Sequence, residues 1–104
     1  MGNTNAKLLT PEALKKAESD LLEHSGLNAE QYEIRQVIVD EKNQHYVTTT
    51  IVGDETKATM VLVHGYGGSG TLFCKVMKGL SVNFRVIVFD VIGMGSSSRP
   101  KWDK

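Results

Sequence analysis

Residues 60–70 read Met-Val-Leu-Val-His-Gly-Tyr-Gly-Gly-Ser-Gly, and this stretch constrains the fold more than any other in the chain. Met60 to Val63 is a short apolar run with two valines, the pattern of a buried, parallel strand. It ends at His64 and runs into Gly65, Gly67, Gly68 and Gly70, after which a helical pattern begins. Glycines between a buried strand and a helix let the backbone turn through positive φ and let a ligand approach main-chain N–H groups. Those N–H groups and the helix N-terminus point the same way, so the loop is suited to negative charge. At this point two charges fit: a phosphate, or the oxyanion of an acyl-transfer intermediate.

The remainder of the chain supplies a frame for that loop. Thr10-Pro11-Glu12 is a helix start, with a capping hydroxyl, a first-turn proline and an acid near the positive end of the dipole. Ala13, Leu14, Ala17, Leu21 and Leu22 share one face, and Gly26 is a stop. The helix has mixed charge and no large aromatic, which favours packing on its own domain over lying on a membrane. Tyr32 to Val39 is strand-like, with Tyr32, Ile34 and Ile38 on one face; Tyr46 to Val52 is β-branched almost throughout. Joined by the polar Asp40–Gln44 link, the two make an antiparallel hairpin. The threonines at 48 to 50 suit a sheet margin better than a dry core. Beyond the glycine loop, Leu72, Phe73, Val76, Met77 and Leu80 recur at helical spacing, and Arg85 to Asp90 forms a second apolar strand. Strand, helix and strand within about 30 residues make a βαβ unit. A second loop rich in glycine and serine, Val91 to Pro100, leaves the carboxyl end of the last strand. Ligands of open α/β sheets bind at such ends, so the two loops border one crevice. The division expected is residues 1–28 as a polar segment and amphipathic helix, and 29–104 as the α/β body.

Charge and composition exclude several functions. Twelve basic and 12 acidic residues leave no excess to attract nucleic acid. No apolar run approaches the roughly 20 residues of a membrane span, and the N-terminus lacks a signal-type apolar core. Cys74 is the lone cysteine, which rules out an internal disulfide; it reads as a packed thiol in a reducing, cytoplasmic setting. Met1-Gly2 invites myristoylation, but Ala6 stands where the motif wants Ser or Thr.

Three chemistries compete for the glycine loop. A Walker A loop needs Lys and a hydroxyl after its last glycine; Thr71 and Leu72 occupy those places, which removes the phosphate cation and the magnesium ligand. A dinucleotide fingerprint is matched in spacing by Gly65, Gly67 and Gly70, with Asp90 20 positions on to hold a ribose hydroxyl. Against it, a helix and a hairpin precede the unit, and the His64-Gly65 pair and the second loop have no role. The third is an oxyanion-hole loop, in which main-chain N–H groups face the tetrahedral intermediate of acyl transfer.

Val61-Leu62-Val63-His64-Gly65-Tyr66-Gly67-Gly68, followed by Phe89-Asp90-Val91-Ile92-Gly93-Met94-Gly95-Ser96-Ser97-Ser98-Arg99-Pro100, resembles the α/β-hydrolase superfamily. The ending is most similar to the lipid-acting subfamily of lysophospholipases and lipid-droplet lipase coactivators. The resemblance covers about residues 60 to 103. It implies the N-terminal part of an α/β-hydrolase fold, a hairpin followed by a βαβ unit, incomplete. It also implies a serine-type carboxylic-ester hydrolase or acyltransferase using no cofactor and no metal, with a small-molecule or lipid ester as substrate and contact with membranes or lipid droplets. By position, the backbone N–H groups of Tyr66 and Gly67 are the oxyanion donors, and the Tyr66 ring is placed to line an acyl pocket. His64, Gly65, Gly68, Asp90, Gly93, Gly95 and Ser97 shape the loops. His64 is not the base, and Ser96, Ser97 and Ser98 are not nucleophiles, because none lies in G-x-S-x-G. The sequence holds no G-x-S-x-G, and the family's order puts nucleophile, acid and base after Lys104. The chain is therefore expected to be part of a hydrolase, inactive alone, with strand 60–63 left as an exposed edge. Some relatives of this type lack the nucleophile and act by binding lipases, so a non-catalytic coactivator is the other expectation.

Overall fold

The computed structural model describes residues 10–101; the Met1-Gly2 acylation question lies outside them. Helix α1 spans Pro11–His24. Thr10 caps it in extended conformation, its hydroxyl accepting from the Ala13 N–H at 3.1 Å, with proline at the first turn and Glu12 beside it. Four strands follow: β1 (Tyr32–Asp40), β2 (His45–Val52), β3 (Ala58–Val63) and β4 (Phe84–Phe89). A 3-10 turn at Gly70–Phe73 and helix α2 (Cys74–Leu80) connect β3 to β4. The sheet order is β1-β2-β4-β3. β1 and β2 form the antiparallel hairpin, β2 runs antiparallel to β4, and β4 runs parallel to β3.

Alternation along the strands decides the core. Val52 stands opposite Val86, which stands opposite Met60; Thr50 stands opposite Val88, which stands opposite Leu62. This face meets Met77 and Cys74 of α2 and Leu22 of α1, and with Leu27 they form the core, with Tyr32, Ile34, Leu62, Phe73, Leu80 and Phe84 packed around it. Leu22 and Leu27 thus share one core with the sheet.

Tyr32, Ile34 and Ile38 share one face of β1 as expected; Tyr32 and Ile34 are partly buried, whereas Ile38 is 44% exposed and the pairing shifts after it. Two expectations need correcting. Of the face assigned to α1, Leu14 and Leu21 remain substantially exposed and Ala17 lies outward; Glu18 and Leu22, four apart, point inward instead. Thr48 and Thr49 are not marginal but buried, because their hydroxyls donate to the Ser96 and Val47 carbonyls and remove the polar penalty. Strand β3 is parallel to β4 and is the exposed edge expected of strand 60–63 in this chain: among the described residues it pairs only with β4, and Val61 and Val63 are more than half exposed.

Candidate active-site loops

Because β3 and β4 are parallel and Val63 stands opposite Phe89, both glycine loops leave the sheet at the same end. Two buried side chains lock them together. His64 accepts the Val91 N–H on Nε2 at 2.9 Å. That acceptor role places the ring proton on Nδ1, which donates to the Gly65 carbonyl at 2.8 Å. Both ring nitrogens are thereby spent, and no free nitrogen is left to act as a base. Asp90, 3% exposed, accepts the Gly70 N–H on Oδ1 at 2.6 Å and the Ser96 N–H on Oδ2 at 2.8 Å. One carboxylate therefore joins the first loop to the second.

The first loop turns at Tyr66 and Gly67. The Gly68 N–H donates back to the Gly65 carbonyl at 3.0 Å, and Gly67 has φ of 75°, the left-handed conformation that glycine adopts without cost. Among the described residues, the N–H groups of Tyr66, Gly67 and Ser69 donate to no protein acceptor. The loop is thus closed from within by His64 and Gly68, tied at its far end by Asp90, and open at its tip. The Tyr66 side chain is fully exposed among the described residues.

The second loop is built from hydroxyls that replace a strand's peptide groups. β4 pairs with β2 as far as Phe89 and Thr49, and the Asp90 N–H still reaches the Thr48 carbonyl. Ser97 then takes over: its Oγ accepts the Thr48 N–H at 2.9 Å and donates to the Asp90 carbonyl at 2.6 Å. Ser98 repeats the device one step on, accepting from the Tyr46 N–H and donating to the Tyr46 carbonyl. Gly93 donates to the Ser98 carbonyl, and Arg99 bridges the Gly95 and Ser97 carbonyls. At Gly95, with φ of 52°, a Cβ would fall inside the Asp90 carboxylate, so only glycine lets that side chain reach the Ser96 N–H. Since Ser97 is buried and its proton is committed, it is not poised for attack. Replacing Ser97 by alanine is expected to strand a buried N–H and a buried carbonyl, costing about 2–4 kcal/mol. Urea denaturation of the variant checks this.

These contacts remove the dinucleotide reading. Asp90 cannot hold a ribose hydroxyl, because both its oxygens are engaged and it is buried; the Gly70 N–H that would face a pyrophosphate is held by that same carboxylate. The third glycine and the acid satisfy each other.

Sequence reasoning missed Glu18. The Ser96 hydroxyl donates to its Oε1 at 2.8 Å, tying α1 to the second loop across 78 positions. The only local signal was its place one turn before Leu22. Half-burial raises the Glu18 carboxyl above its usual 4.5; the Ser96 bond opposes this and nearby Asp90 adds to it. The folded chain then holds this proton more tightly than the unfolded chain. Glu18 is expected to lower stability at neutral pH, with stability recovered as pH falls through its raised value and fully recovered below the usual one. A Glu18→Gln variant should exceed the wild type in urea midpoint at pH 7, with the difference closing toward pH 4.5.

Among the described residues no cluster of His, Cys, Asp and Glu has the makings of a metal site, and no helix is long and apolar enough to cross a membrane.

A four-stranded mixed sheet with this hairpin, βαβ unit and glycine loop is the N-terminal portion of an α/β-hydrolase fold. Residues 58–104, just under half of the chain, match the α/β hydrolase fold family, which with the fold supports an α/β-hydrolase fragment. It is 41% identical over 59 residues to a 1-acylglycerol-3-phosphate O-acyltransferase of Arabidopsis thaliana, a match covering 57% of this chain and 14% of the relative. It is 38% identical over 64 residues to a mouse (lyso)-N-acylphosphatidylethanolamine lipase, covering 60% of this chain and 19% of the relative. Among solved structures, a bacterial membrane phospholipase A superposes with a TM-score of 0.68 at 23% identity, covering 94% of this chain and 30% of that one. The chain thus corresponds to less than a third of each protein.

Proposed function

We propose that residues 64–70 form the oxyanion-hole loop of a serine-type carboxylic-ester hydrolase or acyltransferase acting on lipid-like esters. The observation that carries this reading is the pair of unclaimed N–H groups at Tyr66 and Gly67, on a tip whose base is pinned by His64 and Asp90. Acyl transfer places a full negative charge on the former carbonyl oxygen. Preorganised main-chain donors stabilise that charge without having to reorient during the reaction. The lipid class is suggested by the acyltransferase and lipase relatives, both named for glycerophospholipid chemistry. Nucleophile, acid and base are assigned to other parts of the full-length gene product, since His64 and Ser97 are both committed to structure. Removing the Tyr66 N–H by substitution with proline, and following ester turnover, tests the reading.

A further inference from the structure

Helix α1 is remote in sequence from both glycine loops, yet one run of hydrogen bonds leads from it to the first of them. Glu18 Oε1 accepts the Ser96 hydroxyl at 2.8 Å, the Ser96 N–H donates to Asp90 Oδ2 at 2.8 Å, and Asp90 Oδ1 accepts the Gly70 N–H at 2.6 Å. Glu18 and Ser96 are partly buried; Asp90 and Gly70 are buried. Gly70 closes the first loop and opens the 3-10 turn, against which α1 also packs.

The two inner links have little slack. A Cβ on Gly70 would lie 3.1 Å from Asp90 Oδ1 and 2.7 Å from Val88 Cγ1, so a shift of the carboxylate is felt by the end of the loop. Freedom enters at Ser96. It follows Gly95, whose positive φ marks a turn with no side chain to restrict it. Arg99 and Thr48 fix the carbonyls of residues 95–97, but the Ser96 hydroxyl is held by Glu18 alone among the described residues.

We propose that Glu18 is a positioning residue for residues 64–70, acting through Ser96 and Asp90 on the Gly70 N–H and so on the direction of the loop's tip. Its effect on loop order does not depend on the chemistry; its effect on turnover rests on the oxyanion reading. Donors act on a developing charge only when held close to the productive geometry, so a loosened base lowers kcat and leaves KM.

The test uses the full-length gene product and its Glu18→Ala, Glu18→Gln and Ser96→Ala variants, with the Glu18→Ala and Ser96→Ala pair combined. Asp20→Ala is the control, since Asp20 lies on the same helix and only its exposed pair with Lys16 is lost. Circular dichroism verifies each fold. Hydrogen exchange, followed by mass spectrometry, reads the bonded amides of Gly68, Gly70 and Leu72 in residues 64–72. Their exchange should rise at least about threefold in Glu18→Ala, with β1 unchanged, and stay at the wild-type rate in Glu18→Gln, which keeps the accepting oxygen. In the Ser96→Ala background, Glu18→Ala should add nothing further. The kcat for a p-nitrophenyl ester should fall in parallel, with KM unchanged. Wild-type exchange in Glu18→Ala, a rise shared by β1 or by Asp20→Ala, no rescue by glutamine, or an undiminished effect without the Ser96 hydroxyl would each overturn the proposal. So would an unchanged kcat in Glu18→Ala when Tyr66→Pro lowers it. Absence of wild-type turnover would strike the oxyanion reading instead, and the exchange rates would still decide the role of Glu18.

Discussion

Replacing Asp90 by alanine is expected to cost about 3–5 kcal/mol, because the buried Gly70 N–H and the partly buried Ser96 N–H lose a charged acceptor at once. A domain of this size has a total stability of only about 5–15 kcal/mol, so the loss is a large share of it. The physical asymmetry lies in what remains behind. The carboxylate is buried, and its removal leaves the buried Gly70 N–H and the partly buried Ser96 N–H without their acceptor. Asparagine separates the contributions. Its single carbonyl oxygen can serve one N–H, while its amide presents a donor to the other, so Asp90→Asn should also destabilise strongly, by about 2 kcal/mol or more. Alanine at Asp54, an exposed acid that bonds only within its own turn, is the control and should shift stability by less than about 1 kcal/mol. Urea denaturation of the three variants measures all of this. An Asp90→Ala chain as stable as the wild type would mean that the two loops are not held by this carboxylate.

How much of this was legible in the sequence varied with the kind of signal. The βαβ unit was legible because its periods are local: Met60 to Val63, then Leu72, Val76 and Leu80, then Arg85 to Phe89 announce their states over a few residues. The hairpin was legible for the same reason, from the β-branched run ending at Val52. Which side of an element is covered was not. Ile38 shares its period with Ile34, yet no helix reaches it. Glu18 in place of Ala17 faces inward because Ser96 awaits it from the far end of the chain.

The loops show the limit most sharply. Asp90 sits at the same spacing for a ribose-binding acid and for a loop anchor, and spacing alone leaves both open. What decides is the pair of N–H groups at its oxygens, which come from Gly70 and Ser96 and are adjacent only after folding. The three serines are set aside as nucleophiles by the sequence, since none lies in G-x-S-x-G, but what their hydroxyls do instead is not legible there. Thr48 and Tyr46, some 50 positions earlier, are the partners of the Ser97 and Ser98 hydroxyls.

The second large effect concerns catalysis, and proline at position 66 isolates it. In the turn from Gly65 to Gly68, position 66 is the second residue and Gly67, the third, has positive φ. Proline is favoured at that second position, so the backbone can keep its course while the N–H disappears. Among the described residues that N–H donates to no protein group, so its loss removes no hydrogen bond seen there. Alanine at the same position deletes the exposed ring but keeps the N–H. If the group stabilises a developing oxyanion, its removal should cost about 3–4 kcal/mol of barrier, a fall of 10²–10³-fold in kcat.

The decisive measurement is therefore kcat and KM for a short-chain p-nitrophenyl ester and a lysophospholipid, on the full-length gene product and its Tyr66→Pro and Tyr66→Ala variants. The account predicts a fall of about 10²–10³-fold in kcat for proline, little change in KM, and near wild-type kcat for alanine. Equal kcat in proline and alanine variants, or no serine-inhibitor-sensitive turnover by the wild-type product, would contradict it. The latter outcome would leave residues 64–70 as a loop with no oxyanion to hold, in a protein that acts by binding.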